Sequence, residues 1–224
     1  MNHQCPICKN KEVKDLRIHF YLYLQCQRCQ HIFNGFDEIK IAEQRRRYLM
    51  RMEKVNREFV QNSPTQSFFE RRKNENKERS VIVKKYANAG NRILEADAID
   101  GSLDSHLEIY DYTGLTTHKR FREDWNSKLV YGSMKNVSSD NRFDVVFFFD
   151  YLEHCYCPFM EVVRAMKIGN KTVATIPINR NPKQTYRASC HEFSSQSVRK
   201  FAAKLSKKNT VIDRAYEAIV ILEP

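Results

Sequence analysis

No stretch of this chain is apolar over the ~18–20 residues that a helix needs to cross a bilayer, so a helical membrane protein is not expected. The start, MNHQCPIC, lacks the apolar region of a secretion signal. Glycine is scarce: six residues in 224, where average usage of about 7% would supply more than twice as many. Little glycine is therefore available for loops that bring backbone close to a ligand. The basic stretches lack the interleaved aromatics of a recognisable RNA-binding module. What is present suits a soluble cytoplasmic protein. Hydrophobic residues make up 42% of the chain, enough for a core. The length allows one α/β domain of ordinary size and a small appendage.

Charge is uneven. Of the formal net charge of +11, residues 1–92 carry +10 and residues 93–224 carry +1. The basic N-terminal part reads either as solvated helices or as a surface for RNA, a protein partner or an anionic substrate.

The seven cysteines, in a reducing compartment, point to metal or structural thiols rather than disulfides. Cys5-Pro6-Ile7-Cys8 and Cys26-Gln27-Arg28-Cys29 are two CxxC knuckles flanking a β-rich run, HFYLYLQ. Each knuckle puts two thiolates on one side of a tight turn, and a hairpin between them brings the pairs together tetrahedrally. The spacing predicts a zinc ribbon over residues 1–36, with Cys5, Cys8, Cys26 and Cys29 closing a structural site. His3 and His31 flank the knuckles and read as exposed neighbours, with a ligand role as the alternative. So short a segment needs the metal to fold.

Residues 37–88 read as a helical linker, with one helix over 38–62 and another over Gln66–Tyr86, broken at Asn62-Ser63-Pro64. Arg71, Arg72 and Lys73 read as a solvated face.

The rest of the chain is organised around residues 141–179. Phe143–Phe149 is a continuous apolar run, suited to a strand buried on both faces. A helix follows, with Phe159, Val162, Val163 and Met166 at helical spacing. Lys167 and Gly169 read as its basic last turn and glycine C-cap. Thr172–Ile178 is a second β-branched run. This strand–helix–strand unit predicts a right-handed crossover in an α/β sheet.

These residues carry a resemblance. Phe143-Asp144-Val145-Val146, Leu152-Glu153-His154, Pro158, Ile168-Gly169-Asn170 and Pro177-Ile178-Asn179 resemble the second half of a class I S-adenosylmethionine (SAM) methyltransferase, and the likeness extends over roughly residues 59–222. A ribbon preceding such a domain is similar to the layout of bacterial methyltransferases that begin CPxCG…CxxCG and act on small molecules. A zinc motif also precedes the domain in a group of ribosomal-RNA guanine methyltransferases, with a different second knuckle.

The resemblance implies a Rossmann-like α/β domain over residues 89–224, with a seven-stranded sheet and helices on both faces. It implies SAM as cofactor and a small-molecule acceptor. In the family the first strand ends in LDxGxGxG. Here Arg92–Ala96 is that strand, Glu95 matches the acidic position, Asp97 and Ile99 replace the first two glycines, and Gly101 matches the third. Thr116, at the end of the second strand Tyr110–Thr116, replaces the acid that binds the ribose hydroxyls; a shifted alignment gives Asp111 that role. Ser133, after the third strand, lies near the expected adenine. Losses at 97, 99 and 116 open the alternative of an inactive, scaffold-type relative.

The chemistry is expected from Asp150, Glu153 and His154, read as one face of a helical turn. They suit either a divalent ion, as in related O-methyltransferases of ubiquinone synthesis, or a general base, His154. His191, in a loop feeding the last long helix, is the second candidate base. The helix spans Ser194–Lys207, and a terminal antiparallel hairpin pairs Thr210–Ile212 with Ala218–Leu222.

Overall fold

The computed structural model describes residues 4–18, 21–34, 65–98, 101–116, 128–155, 157–178 and 190–224. Ile99, His3 and the predicted helix over 38–62 lie outside them. No helix among the described residues is long and apolar enough to cross a membrane.

The larger sheet has seven strands. In chain order they are β4 (Arg92–Ala96), β5 (Asp111–Thr116), β6 (Leu129–Tyr131), β7 (Phe143–Phe149), β8 (Gly169–Pro177), β10 (Lys208–Asp213) and β11 (Glu217–Glu223). Their spatial order is β10-β11-β8-β7-β4-β5-β6. β6, β5, β4, β7 and β8 run parallel, while β11 pairs antiparallel with both β8 and β10. Parallel central strands must be covered on both faces, and β7 shows why FDVVFFF is apolar apart from Asp144, which accepts from Arg92 N–H at 2.8 Å near the strand's start. Val145, Phe147 and Phe149 pack with helix α1 (Thr65–Tyr86) through Ile82 and Val83, and with Ala87 just after it. Val146 and Phe148 pack on the other face with α2 (Pro158–Ile168) and α3 (Ser195–Leu205), through Val162, Ala165, Val198 and Phe201.

The smaller sheet is built from β1 (Val13–Ile18), β2 (Tyr21–Cys26), β3 (Ile32–Asn34) and β9 (His191–Glu192), in that order. β9 is contributed from the far end of the chain. Ile32 pairs with Glu192 and Phe33 with His191. Ribbon residues Cys5, Ile7, Leu24 and Phe33 share one core with α2 and α3.

Lys167 lies in the last turn of α2 and Gly169 is its C-cap, as expected, and Gly169 also opens β8 in extended conformation, φ −121° and ψ 144°. Space, not dihedral freedom, requires glycine there, because a Cβ would lie 2.7 Å from Val146 Cγ2. Glu153 and His154 do not begin the long helix. They sit in a separate turn, Leu152–His154, and α2 starts at Pro158. Pro158 has no amide to donate and disfavours helix at residue 157, so a helix begins with it rather than running through it.

Candidate functional site

The strand order reverses between β4 and β7, the point where a doubly wound sheet opens a crevice at its carboxyl ends. Three described residues at these ends take left-handed backbone: Asp97 (φ 58°), Gly101 (φ 67°) and Asp150 (φ 50°). For the two aspartates this conformation is strained, and such strain concentrates at functional sites. The turn after β4 is pinned to β5 by Ala98 N–H donating to Leu115 O at 2.6 Å. A Cβ on Gly101 would lie 2.8 Å from Leu129 Cγ, so glycine is needed there for space as well as for φ.

Glu95 is 3% exposed and committed inside the protein. Tyr112 Oη donates to its Oε2 at 2.5 Å, and Arg79 Nη1 approaches its Oε1 at 3.5 Å. Arg79 also reaches Asp150 Oδ2 at 3.5 Å and lies over the Phe149 ring. One guanidinium from α1 thus bridges the ends of β4 and β7. The Asp150 carboxylate, 49% exposed, accepts from Thr175 Oγ1 at 3.3 Å. Asn76, one turn before Arg79 on α1, donates to Ser102 Oγ at 2.6 Å, just after Gly101.

Thr116 does end β5 at the crevice side, but it is 1% exposed. Asp111 starts β5 at the opposite end and pairs with Arg92 at 3.4 Å, which removes the shifted alignment. Ser133 N–H donates to Asn136 Oδ1 at 2.9 Å in a capping box after β6.

The predicted triad of Asp150, Glu153 and His154 is split. Asp150 lies before the turn with its own left-handed backbone, while Glu153 is 6% exposed. Glu153 Oε1 lies 3.6 Å from His154 Nε2, and its Oε2 has no hydrogen-bond partner among the described residues. Burial, then the Asp150 and Glu192 carboxylates, push the Glu153 carboxyl up to about 8, with Arg79 opposing. Among the described residues the only group placed to share a metal ion is the four cysteines, so the divalent-ion reading of this turn is not supported.

His191 is not open to an acceptor. It is buried in β9, and its Nδ1 lies 3.0 Å from His31 Nε2 with the rings stacked. His31, expected to be exposed, is fully buried between Phe33, Phe193 and His191. Burial, then the neighbouring His191, hold its imidazole well below the usual histidine range.

The sulfurs of Cys5, Cys8, Cys26 and Cys29 all lie within 4.8 Å of one another, with Cys5–Cys29 at 3.6 Å and Cys8–Cys26 at 3.4 Å. A tetrahedral zinc with four thiolates sets sulfurs about 3.8 Å apart, so the donor set fits. Each knuckle turns through a left-handed residue, Lys9 (φ 60°) and Gln30 (φ 57°).

Arg79, Asn76, Tyr112 and Cys190 were not singled out from the sequence. Buried polar Asn76 and Ser80 sit on one stripe of α1 with Val83. A polar start to that stripe was the one available signal.

No family model and no curated protein matches the chain. Among solved structures, 1,6-didemethyltoxoflavin-N1-methyltransferase of Burkholderia thailandensis, with 1,6-didemethyltoxoflavin and S-adenosylhomocysteine bound, matches with a TM-score of 0.58 at 11% identity, over 89% of this chain and 97% of that one. The N-terminal domain of EvdMO1, with S-adenosylhomocysteine and D-fucose, matches with a TM-score of 0.51 at 14% identity, over 66% and 82%. YcgJ of Bacillus subtilis matches with a TM-score of 0.50 at 12% identity, over 63% and 94%. At these identities the likeness is one of fold: the chain has the Rossmann-like fold of class I SAM-dependent methyltransferases, with a four-cysteine unit at its N-terminus.

Proposed function

We propose that this chain transfers a methyl group from SAM to a small-molecule acceptor, and that zinc held by Cys5, Cys8, Cys26 and Cys29 is structural. The observation that carries the reading is the set of left-handed turns at Asp97, Gly101 and Asp150, gathered where the strand order reverses. Asp97 keeps the backbone conformation that glycine takes up readily, so losing the glycine has not lost the turn. The toxoflavin-type enzyme with this fold holds a small molecule and S-adenosylhomocysteine, which favours the same pairing of ligands here.

When bound, SAM supplies an electrophilic methyl group, and its in-line displacement needs mainly positioning. The left-handed turns at Asp97 and at Gly101 bring backbone to the crevice. Asp150, steadied by Thr175 and Arg79, presents a half-exposed carboxylate. Glu95 acts through Arg79 and Tyr112 and does not reach the crevice itself. Glu153 and His154 border the acceptor side, where the partly exposed imidazole of His154, 3.6 Å from Glu153 Oε1, takes the acceptor's proton. His191 has no such role in this reading, because it is held against His31.

A second reading, an inactive relative serving as a binding subunit, is favoured by the burial of Thr116 and by the internal commitment of Glu95. Calorimetric titration of SAM and S-adenosylhomocysteine into zinc-loaded protein separates the two. Micromolar binding is expected. No binding at millimolar ligand, with the protein folded, overturns the enzyme reading and leaves the second.

A further inference from the structure

We propose that the four-cysteine unit anchors the acceptor side of the site: metal bound there positions the Glu153–His154 turn through β3 and β9, while the cofactor side at β4 and β5 stands without it. The assignment of the turn to the acceptor rests on the function proposed above; the path of contacts does not.

The path is short. The second knuckle closes with Gln30 N–H donating to Cys26 O and Cys26 N–H donating to His31 O, both at 2.9 Å, which sets where β3 begins. Cys29 O accepts from Ser194 Oγ at 2.8 Å, and Ser194 is the N-cap of α3. β3 then pairs with β9, and Asn34 N–H donates to Cys190 O at 3.0 Å. Cys190 N–H in turn donates to Glu153 O at 2.8 Å, and Cys190 Sγ lies 3.5 Å from His154 O. Two backbone hydrogen bonds therefore join the ribbon to Glu153. The stacked pair of His31 and His191 locks the same junction. Cys190 and His191 are positioning residues for the turn.

β9 has two residues and β3 has three, too few to hold a pairing unaided. What keeps β3 in place is the knuckle, and a unit this small draws its folding energy from its metal. β4 and β5 differ. They lie inside the seven-stranded sheet, paired on both sides, and the apolar cluster on their α1 face contains no ribbon residue among those described. On the opposite face Leu94, Ala96 and Leu115 share a cluster with Cys5, Ile7 and Phe33, so it is strand pairing and the α1 face that hold β4 and β5.

The test is backbone hydrogen exchange on the full chain, with zinc and after chelation, with SAM titrated into both samples. Chelation is expected to speed exchange at His154, Cys155 and Cys190 by about tenfold or more while Ile93 and Val145, in the α1-face cluster, change little. SAM affinity, where present, should stay within about twofold. Unchanged exchange at the turn overturns the proposal, and so does loss of protection throughout the chain. A second variant leaves the cysteines intact: Asn34→Pro deletes the donor to Cys190 O. It should retain one zinc and expose the same amides; zinc retained with the turn still protected overturns the proposal. Failure of SAM to bind either sample removes the proposed function and leaves the exchange result standing.

Discussion

Glu153→Gln offers a direct reading of the buried turn. Folding takes the Glu153 carboxyl from an ordinary 4.5 to about 8, chiefly by burial, then by the facing Asp150 and Glu192. A carboxyl raised in this way binds more protons folded than unfolded between those two values, so stability falls as pH rises through that window and levels off above it. The shift corresponds to a ceiling of about 5 kcal/mol, at about 1.4 kcal/mol per pH unit. Arg79 opposes it, and local relaxation reduces it, so a net loss of about 2–5 kcal/mol is expected. Glutamine keeps the shape and removes the titration. Urea unfolding of both proteins at pH 5 and pH 8.5 is the assay, and all other titrating groups cancel in the difference. At pH 5 the two should lie within about 1 kcal/mol of each other. At pH 8.5 the glutamine variant should be the more stable by the amount above. A difference that does not change with pH refutes the reasoning, because Glu153 would then ionise as freely folded as unfolded.

Gly169→Ala places a Cβ 2.7 Å from Val146 Cγ2 and 3.2 Å from Ala165 O, so thermal or urea unfolding should show a loss of about 1–3 kcal/mol. Lys9→Gly and Gln30→Gly each relieve a left-handed non-glycine residue, and each should raise the unfolding free energy of the zinc-loaded protein by about 0.5–1 kcal/mol, read by urea unfolding. Tyr112→Phe strips the donor from Glu95 Oε2 and should cost about 1–3 kcal/mol at neutral pH, measured by urea unfolding.

Much of this fold was legible because it depends on neighbours in the chain. The continuous apolar run Phe143–Phe149 is β7 to the residue, since a strand covered on both faces admits no polar alternation. Arg92–Ala96 is β4 to the residue as well. The knuckle spacing foretold the four-sulfur cluster, because each pair is brought together by its own turn. The helix at Glu153 was misplaced because the i, i+3, i+4 pattern was weighted above Pro158, which starts α2 on its own terms.

What the sequence determined by itself was the set of elements, their faces and the thiol cluster, all consequences of local periodicity and tight-turn geometry. Tertiary structure decided which polar groups became buried and with whom. His31 meets His191 across 160 residues, and Arg79 meets Asp150 across 71. Glu153 is raised first by burial and, beside its chain neighbour Asp150, by Glu192, which β9 brings from a distant segment. Desolvation and charge are set by whatever the fold brings near, and spacing along the chain carries no trace of that.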